Sequence, residues 1–251
     1  MTNKFNYFIG NWKMFGDLSS IRVIKKISIN LNRFKKKNFK VVFCIPYTLI
    51  NSYSKQLNQS NISIGAQNVH YLYEYGSYTG SINSKMIKNA GAEYVIIGHS
   101  ENRINGDTDT IINKKIKSSL KNKIKIILCI GETNKQKINK QTNRILKKQI
   151  VLSLKGIRSI KNIIFAYEPV WAIGTGKVPN KYELSKNILY IKSQIQNKFK
   201  KTQNINILYG GSVNPRNIVE LNSIDHLNGY LIGGASKSSK KFIDIMNKTY
   251  K

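Results

Sequence analysis

Three of the chain's 12 acidic residues, Glu101, Glu132 and Glu168, stand just past the ends of short apolar runs. The chain carries 42 lysines and arginines over 251 residues, for a net charge of +30, so acids are scarce and their placement is informative. Other chemically capable residues hold matching positions. "GNWKM" sets Asn11 and Lys13 two residues apart, which on an extended strand sends both side chains to one face. "GHSEN" supplies His99, Ser100 and Glu101, and "IILCIGE" ends in Cys129, Gly131 and Glu132. "AYEPVWAIGTGK", residues 166–177, sets Glu168 against Pro169 and follows it with Trp171, Gly174 and Gly176. A carboxylate, an imidazole and a lysine brought together are the parts of general acid–base chemistry. The ends "YGGS" and "IGGAS" add Ser212, Gly233 and Gly234, whose backbone N–H groups can converge on an anion, with Gly174 placed to contribute from above.

Every one of these residues also has a structural reading. Lys13 can be a lysine whose stem lies along a strand mouth while its head stays wet. A histidine after a glycine can be a satisfied structural residue. Trp171 reads as a packing anchor for the loop that follows it, and the glycines as turn formers. His70 and His226 lie in polar loop contexts and are assigned no role.

The elements that must position the set alternate regularly. Apolar runs rich in Ile, Val, Phe and Tyr recur eight times: "NYFIGNWK", "FKVVFCIP", "ISIGAQNV", "AEYVIIGHS", "IKIILCIGE", "NIIFAYEPV", "INILYGGS" and "GYLIGGAS". Longer polar segments between them carry a helical period: Leu184, Ile188, Ile191 and Ile195 in one, Ile112, Ile116 and Leu120 in another. "GDTD", residues 106–109, offers a cap and first-turn acids, and Gly156 follows the apolar positions of the helix before it. Near-continuous apolar strands imply burial on both faces, hence a parallel sheet. With no linker or domain-scale change of composition, residues 1–251 are expected to form a single (β/α)8 barrel domain. An open doubly wound sheet is the alternative, but the G-x-G-x-x-G expected after its first strand is absent. In a barrel, chemistry belongs at the C-terminal strand ends, where these residues fall, and phosphate commonly binds after strands seven and eight.

The charge raises the question of nucleic acid. Basic clusters such as "RFKKK", "NKKIKSSLKNKIK" and "NKFKK" fall on polar helix faces or their ends, without recurrent interleaved aromatics. A compositional bias toward Lys, Asn and Ile accounts for them, so no nucleic-acid partner is expected, though small anions are drawn in either way. No run of about 18 apolar residues occurs, and the first residues lack the profile of a signal peptide. Cys44 and Cys129 lie inside apolar runs, which predicts buried free thiols in a reducing, cytoplasmic setting.

"GNWKM", "GHSE", "AYEPVWAIGTGK", "YGGSV" and "GGAS", in this order and at these spacings, resemble the triosephosphate isomerase family along essentially the whole chain. The resemblance implies interconversion of dihydroxyacetone phosphate and glyceraldehyde 3-phosphate through an enediolate, a step of glycolysis and gluconeogenesis, with no metal or organic cofactor. It implies Glu168 as the base, His99 as a neutral hydrogen-bond donor to the substrate oxygens, and Lys13 as fixed positive charge. Asn11, Lys13, Gly174, Ser212, Gly233 and Gly234 would hold substrate. Residues 169–179 resemble the family's lid, with Trp171 and Tyr209 as the partners that hold it and Pro179 at its far hinge. A homodimer is implied, with the Thr79 loop inserted beside Asn11 and Lys13 of the neighbouring subunit. The sequence departs from the family pattern at Asn102 and Ser81, which stand where an arginine and a glutamate pair across that interface, so a looser dimer is expected. Asn228 and Lys237 also depart from the pattern, in local packing.

Overall fold

A computed structural model of the chain describes residues 6–34, 38–199 and 204–250. Lysines 35–37 of one basic cluster and 200–201 of another lie outside the described residues. Each of the eight apolar runs forms a strand: β1 (Asn6–Asn11), β2 (Phe39–Cys44), β3 (Ile62–Ala66), β4 (Tyr94–Ile97), β5 (Lys125–Ile130), β6 (Ile163–Tyr167), β7 (Ile207–Tyr209) and β8 (Gly229–Ile232). All neighbours pair in parallel, and the sheet closes where Tyr7 of β1 lies opposite Gly229 of β8. Closure excludes the open doubly wound sheet.

The strands are apolar at nearly every position because they face two cores. Ile9, Val42, Ile96, Ile127, Ala166, Leu208 and Leu231 fill the barrel interior. Their alternates, among them Phe8, Val41, Val95, Ile126 and Phe165, meet the surrounding helices. The periodic segments supply that outer layer. Leu184, Ile188, Ile191 and Ile195 are fully buried on helix Lys181–Phe199, as are Ile112 and Ile116 on helix Asp109–Lys121. Thr108 caps the latter, its hydroxyl accepting from the Ile111 N–H, and Asp109 stands in its first turn beside the positive end of the helix dipole.

Two of the departures have packing partners. Asn228 knits three strands, accepting from the Ile207 N–H on its side chain (3.0 Å) and from the Tyr7 N–H on its carbonyl (2.8 Å). Lys237 places its ammonium 4.9 Å from the centre of the Phe15 ring. Cys44 and Cys129 are buried and unpaired. Among the described residues no helix is long and apolar enough to cross a membrane.

Candidate active site

The alternation along the strands continues past their ends and builds the site. Inward positions run Ile9 then Asn11 at the end of β1, and Ile164, Ala166 then Glu168 past β6. The same step after β4, β5, β7 and β8 reaches Gly98, Gly131, Gly210 and Gly233, and after β3 it reaches Gln67. With Pro46 after β2, four of the eight inward strand-end positions are glycines, which leaves the mouth to a few side chains. The clearance is needed: a Cβ on Gly210 would lie 2.7 Å from Glu168 Cγ, and one on Gly131 would overlap the Glu168 carbonyl.

Asn11, Lys13, His99, Glu168, Gly174, Ser212, Gly233 and Gly234 line one cavity of about 470 Å³ at this end of the barrel. They come from chain positions far apart. Arg216 and Lys241 line it too, and no sequence signal marks either: Arg216 stands in the turn before helix Ile218–Asn222 and Lys241 in the first turn of helix Ser239–Thr249, two among many basic residues.

Lys13 reaches the cavity by a route that differs from the expected one. It lies beyond β1 in the left-handed region, with φ 54°, not on an extended strand. Asn11 Oδ1 accepts its N–H at 3.0 Å and Gln67 Nε2 donates to its carbonyl at 2.9 Å, so the turn is held from both sides. Its ammonium lies 2.6 Å from Glu101 Oε1.

His99 is 4% exposed and caps the short helix Ser100–Ile104. Its Nδ1 accepts the Glu101 N–H at 3.2 Å, which assigns the ring proton to Nε2. That Nε2 faces Glu168 Oε1 at 3.4 Å. Glu168 is 3% exposed. Burial pushes its carboxyl above the usual range, opposed in part by His99, the Cys129 thiol, Lys13 and the Ser100 amide. Its Oε2 is buried without a hydrogen bond of good geometry. Beneath this pair, Arg103 donates to the Gly98 and Cys129 carbonyls and binds Asp109 at 2.6 Å, tying β4 to β5.

The three acids past strand ends divide. Glu168 lines the cavity, and Glu101 meets it only through the ammonium of Lys13. Glu132 turns away from it, fully buried, accepting from Trp171 Nε1 at 2.9 Å and from the Tyr167 hydroxyl. The loop after Glu168 begins with a 3-10 turn, Val170–Ala172, and its tip is exposed. Gly174 and Gly176 adopt φ 70° and 77°, and a Cβ on either would meet nothing within 4 Å. Pro179 is buried at the far end. The Tyr209 hydroxyl is buried without a partner, and burial pushes its phenol up.

The residues left without a role stay outside the site. His70 packs between Tyr71 and Tyr78, and His226 lies beside Lys192. Asn102 donates to the Gln67 carbonyl at 3.4 Å. Among the described residues no cluster of His, Cys, Asp or Glu could hold a metal ion.

A sequence model of the family described as triosephosphate isomerase matches residues 6–249. The chain belongs to that family. It is 39% identical over 244 residues to a triosephosphate isomerase of Alkaliphilus metalliredigens, covering 95% of this chain and 97% of the relative. It is 40% identical over 248 residues to one from Borrelia garinii subsp. bavariensis, covering 96% and 97%. The crystal structure of triosephosphate isomerase from Bartonella henselae superposes with a TM-score of 0.90 at 34% identity, covering 98% of this chain and 99% of that one. Triosephosphate isomerase membership and the barrel thus agree with the five ordered motifs.

Proposed function

We propose that this chain acts as one barrel domain that interconverts dihydroxyacetone phosphate and D-glyceraldehyde 3-phosphate, with Glu168 moving the proton. The observation that carries the reading is the convergence of Asn11, Lys13, His99 and Glu168 on one cavity, with Glu168 Oε1 and His99 Nε2 3.4 Å apart. In this reading Glu168 removes a proton from the carbon beside the carbonyl and returns it to the neighbouring carbon. Burial suits the task, because a desolvated carboxylate is a stronger base than one in water. His99, with its proton on Nε2, donates to the substrate oxygens as the enediolate forms, and Lys13 holds positive charge beside it. One preorganised donor of this kind contributes about 2.7–4 kcal/mol of transition-state stabilisation.

The phosphate would sit against Ser212, Gly233 and Gly234, where Arg216 and Lys241 add positive charge. Closure of residues 169–179 would bring Gly174 onto it and expel water, which protects the enediolate phosphate from losing its phosphate group. No cofactor enters the scheme. The chain would act in the cytoplasm as a homodimer. Met14 is 99% exposed and Tyr75 62% exposed, apolar surface that a second copy would cover. A cavity of about 280 Å³ beside Lys13, Met14 and Gln67 suits the tip of the partner's Thr79 loop.

An isomerisation assay coupled to a dehydrogenase tests the reaction. Conversion in both directions is expected, and its absence from folded protein overturns the reading. A Schiff-base aldolase using Lys13 would be inactivated by borohydride in the presence of substrate, which an isomerase would survive. Nucleic acid has no part in this function, and a gel shift retained at physiological salt would contradict that.

A further inference from the structure

We propose that Lys137 is a positioning residue that holds the lid off the site, by strapping the lid's first hinge to the helix beyond its second. The inference rests on the lid assigned above to residues 169–179. Lys137 Nζ lies 3.5 Å from the centre of the Trp171 ring, a cation over an aromatic face. The same ammonium lies 2.8 Å from Glu183 Oε1 and 3.1 Å from Oε2. Glu183 stands in the first turn of helix Lys181–Phe199, the element that follows the lid.

A second line runs from the edge of the same ring. Trp171 Nε1 donates to Glu132, which accepts from the Tyr167 hydroxyl, which in turn accepts from Asn187 Nδ2 at 2.8 Å. Asn187 lies one helical turn beyond Glu183 on the same helix. The face and the edge of Trp171 are therefore both tethered to the helix that receives the lid's far end. The tip bonds locally instead: the Thr175 hydroxyl donates to the Trp171 carbonyl and accepts from the Lys177 N–H.

These contacts belong to the conformation in which the tip stands exposed. Glu183 fixes Lys137, so carrying Trp171 toward the cavity takes the ring out from under the ammonium. The tethers thus weight the open position. The carboxylate of Glu183 sits less than a third exposed, and so does the Lys137 side chain, which limits solvent screening of the pair. A ligand gripped by the closed lid must overcome this bias, and its apparent affinity is reduced accordingly.

Lys137→Met keeps the chain length and removes the charge. It is expected to tighten inorganic phosphate binding, followed by tryptophan fluorescence, by about 2- to 5-fold, the size of one cation–π contact. The KM for dihydroxyacetone phosphate should fall with it, and Lys137→Arg should restore both. Glu183→Gln should shift both in the same direction as Lys137→Met, and serves if that variant does not fold. A lower melting temperature with phosphate affinity unchanged, or weaker phosphate binding, overturns the strap. Phosphate binding is read without turnover. A wild-type protein lacking isomerase activity, with the affinity shift intact, would sink the assigned reaction and leave the strap standing.

Discussion

His99 Nε2 stands 3.4 Å from Glu168 Oε1, with both side chains about 5% exposed or less. The contact joins the ends of β4 and β6, which are not neighbours in the sheet. It is possible because Gly131, after the intervening β5, puts no side chain between them, while Gly210, after β7, leaves room for the Glu168 side chain.

Glu168→Gln should lower kcat by about 10²–10⁴, the range of a lost general base, with the far-ultraviolet circular dichroism unchanged. Near-normal turnover would remove Glu168 from the role of base.

The raised carboxyl of Glu168 also sets two opposite pH dependences. If Glu168 is the base, as proposed, the carboxylate is the active form, so kcat/KM should fall as pH drops through a value above the usual carboxylate range. Stability runs the other way. A group whose folded pKa is raised binds its proton more tightly in the folded state, so its contribution is complete below the unfolded pKa and lost as pH rises through the folded one. Glu168→Gln should therefore gain melting temperature over the wild type at neutral pH and lose that advantage in acid. Parallel melting curves across the acid range would contradict the burial of an ionised carboxylate.

Gly210→Ala and Gly131→Ala should differ in kind. At Gly210 the new methyl meets the flexible Cγ of Glu168 at 2.7 Å, so the proposed base is displaced while the fold survives, and kcat is expected to fall more than KM changes. At Gly131 the methyl meets Glu168 backbone that cannot yield without parting β5 from β6, so denaturant midpoints should drop sharply. Equal stability in the two variants would count against this packing.

Thr79→Arg should split the proposed homodimer and remove most activity. Thr79 is exposed on its own subunit, so a stability loss within the monomer is not expected. Sedimentation showing an intact, active dimer would place the interface elsewhere.

Neither cysteine should react with a thiol reagent in the native protein. Both lie inside the barrel, and burial pushes each thiol up, Cys129 further through the nearby Glu168 carboxylate. Rapid native-state labelling would mean the barrel interior opens.

The barrel was legible in the sequence because its cause is local. Strands buried on both faces must be apolar throughout, and helices packed outside them must carry one apolar stripe, as Leu184, Ile188, Ile191 and Ile195 do. The site residues were legible for a related reason: each follows a strand, and parity alone sends Asn11 and Glu168 inward. Parity did not suffice for Lys13, whose direction comes from a left-handed turn held by Asn11 and Gln67. Nor could it separate Glu132 from Glu101, since both follow strands and only the packing of Trp171 and Tyr167 draws Glu132 away from the mouth. Arg216 and Lys241 were hidden among 42 basic residues, as was Lys137, whose two partners lie 34 and 46 positions away. Patterns that repeat along the chain are set by strand and helix geometry and can be read there. Which charge meets which is decided by closure of the barrel, because only closure brings distant strand ends and their loops within reach of one another.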